Sequence, residues 1–318
     1  MIHIKNHSII TLIFFGILSA DVSVGSDTRH ISENHHPEAV TGESILPVFR
    51  DSDNGNRVSV NLLTKRAKIT EPGTYWVGFQ MKIRDGWHVY WRNPGDSGLP
   101  TEIEWEDHDY ITAGPIHWPR PERFDEEGVT TYGYSNEVIL LVPLNIAREE
   151  SDMSASSTLS ANVNWLVCKE ICLPESTTAT LETGADGTFQ NYSAGSLSLF
   201  EKAEALLPEK TTAWRAEAAY ESDQFEITVT PESGETAQPD VENIYFFSGT
   251  RSTIDHTAPQ RARWVGDDLV MTLQASRYLN AIPGEISGVL ISEESWFKDK
   301  EVTAMDISFS VSSRYDSE

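Results

Sequence analysis

Cysteine is nearly absent from this chain. The 318 residues hold two, Cys168 and Cys172, which excludes the disulfide framework that holds many small secreted domains together. Positive charge is scarce as well, with 24 Lys+Arg against 49 Asp+Glu and a formal net charge of −25. Nucleic acid and anionic lipid are bound through clustered Lys and Arg, so neither is expected as a partner. Beyond residue 30 no apolar run approaches the roughly 20 residues of a spanning helix, so no stable membrane insertion is expected. No cofactor motif is found, and no cofactor is expected.

The chain does hold an export-type start. Lys5, with His3 and His7, precedes the apolar stretch "SIITLIFFGILSA", and small residues follow, with cleavage expected after Ala20 or near Gly25. An uncleaved anchor is the competing reading, but the run is short of spanning length. Residues 1–26 are read as a signal peptide and 27–55 as a mobile lead-in, polar and without period. The mature chain is then expected outside the cytoplasm, where disulfides persist.

A mature chain of about 290 residues exceeds a usual single core, so two domains are expected. Short segments rich in β-branched and aromatic residues dominate, among them "RVSVNLL" (57–63), "TYWVGFQMKI" (74–83), "GWHVYW" (86–91), "TEIEW" (101–105), "EVILLVPLNI" (137–146), "STLSANVNWLV" (157–167) and "TTATLET" (177–183). Each is bounded by turn residues, the pattern of a β-sandwich. "GADGTFQNYSAGS" (184–196) reads as a linker, and "SLFEKAEALLPEK" as the one convincing helix, with Ser198 and Glu201 at capping-box spacing and Pro208 as its stop. Strand patterns resume in "FEITVT", "NIYFF", "DLVMTLQA", "ISGVLIS" and "EVTAMDISFSV". The expected fold class is all-β: two sandwiches, 56–185 and 211–318, joined by a linker and helix over 186–210.

The cysteine pair sits in "NWLVCKEICLPE" (164–175). In one straight strand the two Cα atoms would be roughly 13 Å apart at about 3.3 Å per residue, too far for a disulfide. A closed pair requires a turn, either a three-residue loop through Lys169, Glu170 and Ile171 or one helical turn, and the strand pattern up to Val167 favours the loop. As a staple it is poor: closing so short a loop contributes about 2 kcal/mol, against about 4.7 for a hundred-residue loop. Three readings stand side by side: a redox pair, a structural disulfide, and a soft-metal clamp for Cu(I) or zinc. The metal reading wants a third ligand, yet no histidine lies between His117 and His256, and His35-His36 falls in the lead-in.

Other motifs carry less. "GDSGLP" (95–100) has the look of a protease nucleophile loop around Ser97, but Leu99 replaces the second glycine and no suitable base precedes it; its residues are turn formers. "FDEEG" (124–128) lacks a calcium-loop ligand pattern and reads as a solvated turn. In "GWHVYW" strand alternation puts Trp87, Val89 and Trp91 on one face and His88, Tyr90 and Arg92 on the other.

Taken together, "VNWLVCKEICLPE", "DGWHVYWRNPGDSGLPTEIEW" (85–105) and "YGYSNEVILLVPL" (132–144) resemble the periplasmic N-terminal region of DsbD-type thiol:disulfide interchange proteins. The suppressor-of-copper-sensitivity B (ScsB) branch is the nearest likeness. It is strongest over 45–185 and continues more weakly through "YFFSGTRSTIDHTAPQ" (245–260), where that branch carries a second immunoglobulin-like domain. The resemblance implies an immunoglobulin-like sandwich whose cysteine pair, Cys168 and Cys172 here, takes electrons from a membrane-embedded thiol reductant and passes them to periplasmic thiol proteins, thioredoxin-like or disulfide-bonded. It implies a thiol:disulfide oxidoreductase without its own cofactor, serving pathways such as cytochrome c maturation or copper tolerance. A non-enzymatic adaptor and a copper-handling protein remain the alternatives.

In that family aromatic residues shield the pair, and the matching blocks offer Tyr90, Trp91 and Tyr132. Thr131 departs from the pattern, standing where better-known members have a bulky aromatic. The family's membrane conduit and thioredoxin-like domain have no counterpart in these 318 residues, so a separate chain is expected to supply electrons. Either cysteine fits the attacking role at this level.

Overall fold

The computed structural model describes residues 55–147, 156–232 and 236–313. The signal-peptide reading, and the lead-in except for its last residue, lie outside the described residues. The first sandwich is made of two sheets. One orders β1 (Val58–Thr64), β2 (Gly73–Ile83), β8 (Glu137–Ile146) and β5 (Ile111–Ala113) side by side. The other runs β10 (Cys172–Thr183), β9 (Ser157–Cys168), β3 (His88–Gly95), β7 (Val129–Ser135) and β6 (Glu122–Glu126), with β4 (Glu102–Trp105) also paired to β9.

Alternation along these strands builds the core. Val77, Phe79 and Met81 from β2 and Leu140, Val142 and Leu144 from β8 meet Val89, Trp91, Val163, Trp165 and Val167 of the opposite sheet. Side chains at every second position share a face, so His88, Tyr90 and Cys168 necessarily lie on the other side of the second sheet. The expected division of "GWHVYW" into two faces is what the fold adopts.

A third ladder follows the order β14 (Tyr245–Ser248), β17 (Glu285–Ile291), β18 (Ala304–Ser313), β12 (Trp214–Glu221), β13 (Gln224–Pro231), β16 (Asp268–Gln274) and β15 (Arg261–Val265), and β11 (Glu209–Lys210) pairs β18. Its pairings are antiparallel except for β12 and β11 against β18. Phe225, Ile227, Leu269, Leu290, Trp296 and Phe309 gather from across this ladder into one core, so the strands close over a shared interior. The fold is all-β and immunoglobulin-like.

The stretch read as a linker is anchored to the first sandwich. Phe189 is buried in the first core, and its amide donates to the Ala67 carbonyl at 2.8 Å. The helix α1 runs Ser196–Ala205, two residues ahead of the expected start. The capping box does not form: Gly195 is the N-cap, without a side-chain cap, and Ser198 Oγ donates to the Gly195 carbonyl at 3.0 Å. What holds the helix is tertiary packing of Phe200 and Ala203 against Ile139 and Leu141 of β8, the usual source of stability for so short a helix.

The two sandwiches meet on β3 and β7. Phe247, Val289 and Ala304 of the third ladder belong to the first core. Asn93 Nδ2 donates to the Ser248 carbonyl at 2.8 Å, and Arg92 pairs with Asp306 at 3.6 Å.

Candidate functional site

β9 and β10 form an antiparallel hairpin in which Cys172 is the register partner of Cys168. Lys169, Glu170 and Ile171 make the turn, closed by the Lys169 amide donating to the Ile171 carbonyl at 3.2 Å. Cys168 and Cys172 are joined by a disulfide with Cα atoms 4.2 Å apart. The three-residue loop thus forms, rather than a helical turn. The two ends of the bond face different surroundings: Cys168 is 2 % exposed, whereas Cys172 is exposed.

Tyr90 reaches the bond from β3. Its hydroxyl donates to Cys168 Sγ at 2.9 Å and lies 3.4 Å from Cys172 Sγ. Burial, and after it the nearby Glu126 carboxylate, push the Tyr90 phenol above its ordinary value, so it stays protonated and remains a donor. The ring rests on the backbone of Gly98, where φ is +105° and an added Cβ would lie 2.4 Å from two ring carbons. "GDSGLP" is therefore the seat of Tyr90.

His88 lies directly across β3 and β9 from Cys168. Its ring stacks on Phe124 at 4.6 Å and 16° and meets the Tyr90 ring edge-on at 5.2 Å. Burial lowers the His88 pKa, with Glu126 opposing. Phe124 stands on β6, cross-strand from Thr131 on β7. Close approach of β7 to β3 depends on Gly133, because a Cβ there would lie 2.0 Å from the Val89 carbonyl oxygen. "FDEEG" is thus half strand, with only Glu127 and Gly128 in left-handed turn conformation at φ 47° and 84°.

The remaining expected shielding residues sit elsewhere. Trp91 is fully buried in the core, because it is one residue out of phase with Tyr90 on the same strand; its ring neighbours are Tyr132 and Phe247. Tyr132 also faces the core side, where its hydroxyl meets the Tyr245 hydroxyl at 3.0 Å and His256 Nδ1 at 2.9 Å. Thr131 is buried on the Tyr90 side, opposite Gly95 and Phe124. Tyr90 alone of the four has a hydrogen bond to the sulfurs. Phe124 and Gly98 are the neighbours that sequence reasoning missed, while His88 shares the Tyr90 face as alternation expects; pairing Phe124 with the Thr131 departure would have needed the β6–β7 register.

Ile171, in the turn between the cysteines, is 58 % exposed, and Leu99, next to Gly98, is 55 % exposed. A groove of about 260 Å³ is lined by Leu99, Pro100, Trp165, Leu166 and Pro174, with Pro174 two residues along β10 from Cys172. A larger cleft of about 660 Å³, which includes Arg120, Arg123, Leu206 and Tyr245, is lined by none of the residues around the disulfide. Among the described residues no group of three or more His, Cys, Asp or Glu is placed to hold a metal ion.

Residues 60–183 match the family described as "Thiol:disulfide interchange protein DsbD, N-terminal". This region belongs to the DsbD N-terminal family. The crystal structure of the N-terminal periplasmic domain of ScsB from Proteus mirabilis is similar at 19 % identity and a TM-score of 0.57, over 81 % of this chain and 95 % of that one; at that identity it speaks for the fold. The YadV chaperone, at 12 % identity over 80 % of this chain and 98 % of that one, has a TM-score of 0.22. No curated protein sequence matches the chain. The DsbD N-terminal assignment and the Cys168–Cys172 bond together make the region a thiol–disulfide interchange module. No helix among the described residues is long and apolar enough to cross a membrane.

Proposed function

We propose that this protein carries electrons in the periplasm by reversible exchange at the Cys168–Cys172 bond, with Cys172 as the sulfur that partners attack. The asymmetry of burial supports this reading: Cys172 is exposed, while Cys168 is buried under the Tyr90 hydroxyl. A thiolate of a membrane-embedded thiol reductant, on a separate chain, attacks Cys172 Sγ. The S–S bond breaks and Cys168 leaves as a thiolate. The donor's second thiol then attacks its own sulfur in the mixed disulfide, leaving the donor oxidised and both cysteines reduced. In the next half-cycle the Cys172 thiolate attacks a disulfide of a thioredoxin-like or other periplasmic protein, and Cys168 resolves the mixed disulfide.

Tyr90 favours this cycle because a hydrogen bond to a charged acceptor is stronger than one to a neutral sulfur. It therefore stabilises the leaving thiolate more than the closed bond. Ile171, Leu99 and the adjoining groove supply apolar surface for a docked partner. Cytochrome maturation or copper tolerance would follow from which acceptor is reduced. Equilibration with thioredoxin and glutathione redox buffers tests the proposal. An exchanging bond titrates above about −300 mV, whereas a structural one stays oxidised to lower potentials.

A further inference from the structure

His88 is an unusual residue to bury beside a disulfide. It is 6 % exposed, and its Nε2 is enclosed without a hydrogen-bond partner among the described residues. Phe124 and Tyr90 hold the ring in place on two sides. Directly opposite residues of an antiparallel pair have Cβ atoms about 4.5–5.5 Å apart on one face, and the residue opposite His88 is Cys168. A phenylalanine would fill the same stack without an unsatisfied nitrogen, so the packing alone does not call for imidazole.

We propose that His88 is the proton partner of Cys168, becoming an imidazolium when reduction turns the facing sulfur into a thiolate. The inference rests on the exchange reading and deepens it. In the oxidised protein the facing sulfur is uncharged. Burial then favours the neutral ring, with Glu126 on β6 as the opposing charge. Around it stand Tyr90 on its own strand, Ser135 on β7 with the Glu122 carboxylate bonded to it at 2.6 Å, and Lys169, whose side chain lies against Gly86 just before β3.

Reduction puts a negative charge on the residue directly opposite His88, and a nearby opposite charge favours ionisation. The balance is two electrons and two protons per disulfide. One proton goes to the Cys172 thiolate, which gives it up to solvent again when it attacks an acceptor, and the other to His88, so that Cys168 persists as a thiolate paired with the imidazolium and with the Tyr90 hydroxyl. His88 acts on the leaving sulfur, and through it on the ease with which the bond opens.

Nitrogen-15 NMR of the histidine rings, in the full-length protein at pH 7 before and after reduction with a phosphine, tests this directly. The His88 ring is expected neutral when oxidised and protonated when reduced, and protonated again in Cys172→Ser, which keeps the Cys168 thiol. An unchanged neutral ring in the reduced protein would overturn the proposal. In His88→Phe, which preserves the stack, the thiolate titration of Cys168 followed at 240 nm is expected to move up by at least about one pH unit, tenfold less thiolate at a given pH. A titration equal to the native one in a folded His88→Phe protein would also overturn it. Because the phosphine reduces the bond without a protein partner, a failure of exchange with thioredoxin-like proteins would be seen separately.

Discussion

The Tyr90 hydroxyl lies 2.9 Å from Cys168 Sγ and 3.4 Å from Cys172 Sγ, so one phenol on β3 contacts both ends of the bond that joins β9 to β10. Tyr90→Phe keeps the ring on Gly98 and removes only the donor. A hydrogen bond to a charged group contributes about 1.5–3 kcal/mol. Its loss falls on the reduced state and is expected to make the bond about 30–60 mV harder to reduce. A potential unchanged in Tyr90→Phe would mean that the hydroxyl does not favour the thiolate.

Gly98→Ala tests the seat of that ring. The added Cβ would meet Tyr90 at 2.4 Å, at a φ of +105° that L side chains rarely adopt. Overpacking of this kind costs about 1–3 kcal/mol. Urea unfolding is expected to show that loss, and exchange with a thioredoxin-like dithiol to change along with it, since Tyr90 must move.

Tyr132→Phe separates the domain contact from the redox site. The change removes the hydroxyl between Tyr245 and His256 and takes a partner from the buried His256 and the half-buried Tyr245, at about 1–3 kcal/mol. Stability should fall, measured by urea midpoint, while the reduction potential of the disulfide stays where it is.

Acid should weaken the fold through its buried histidines. Burial lowers the pKa of both His88 and His256 from 6.5. The unfolded chain then binds protons more readily than the native one, so stability is full above the unfolded value and declines as pH falls below about 6.5. Urea midpoints between pH 7 and pH 5 are expected to drop, and to drop less in His256→Gln. A flat profile over that window would show that neither ring is held neutral by the fold.

Local chemistry made part of this site legible. The turn between Cys168 and Cys172 followed from the reach of a strand against the reach of a disulfide, and the placement of Tyr90 opposite to Trp91 followed from alternation. Long-range register hid the rest. Nothing near Phe124 in the chain says that β6 pairs β7 and brings its ring over His88. Gly98 read as a turn residue because its reason, the Tyr90 ring, arrives from another strand. The helix start was misplaced for a related cause: Ser198 and Glu201 had cap spacing, but Phe200 docking on Ile139 and Leu141 sets where α1 sits. Likewise the 184–196 stretch has linker composition, while Phe189 anchors it to the core and Asn191 to the Leu62 and Thr180 carbonyls.

Reversible opening at Cys172 is tested most directly by trapping. The oxidised protein would be mixed with a thioredoxin-like dithiol reductant lacking its resolving cysteine, and the adduct mapped by peptide mass spectrometry. The expected result is one mixed disulfide, on Cys172, with Cys168 released as a free thiol. A native Cys168–Cys172 bond left intact by the reagent, or an adduct on Cys168, would contradict it.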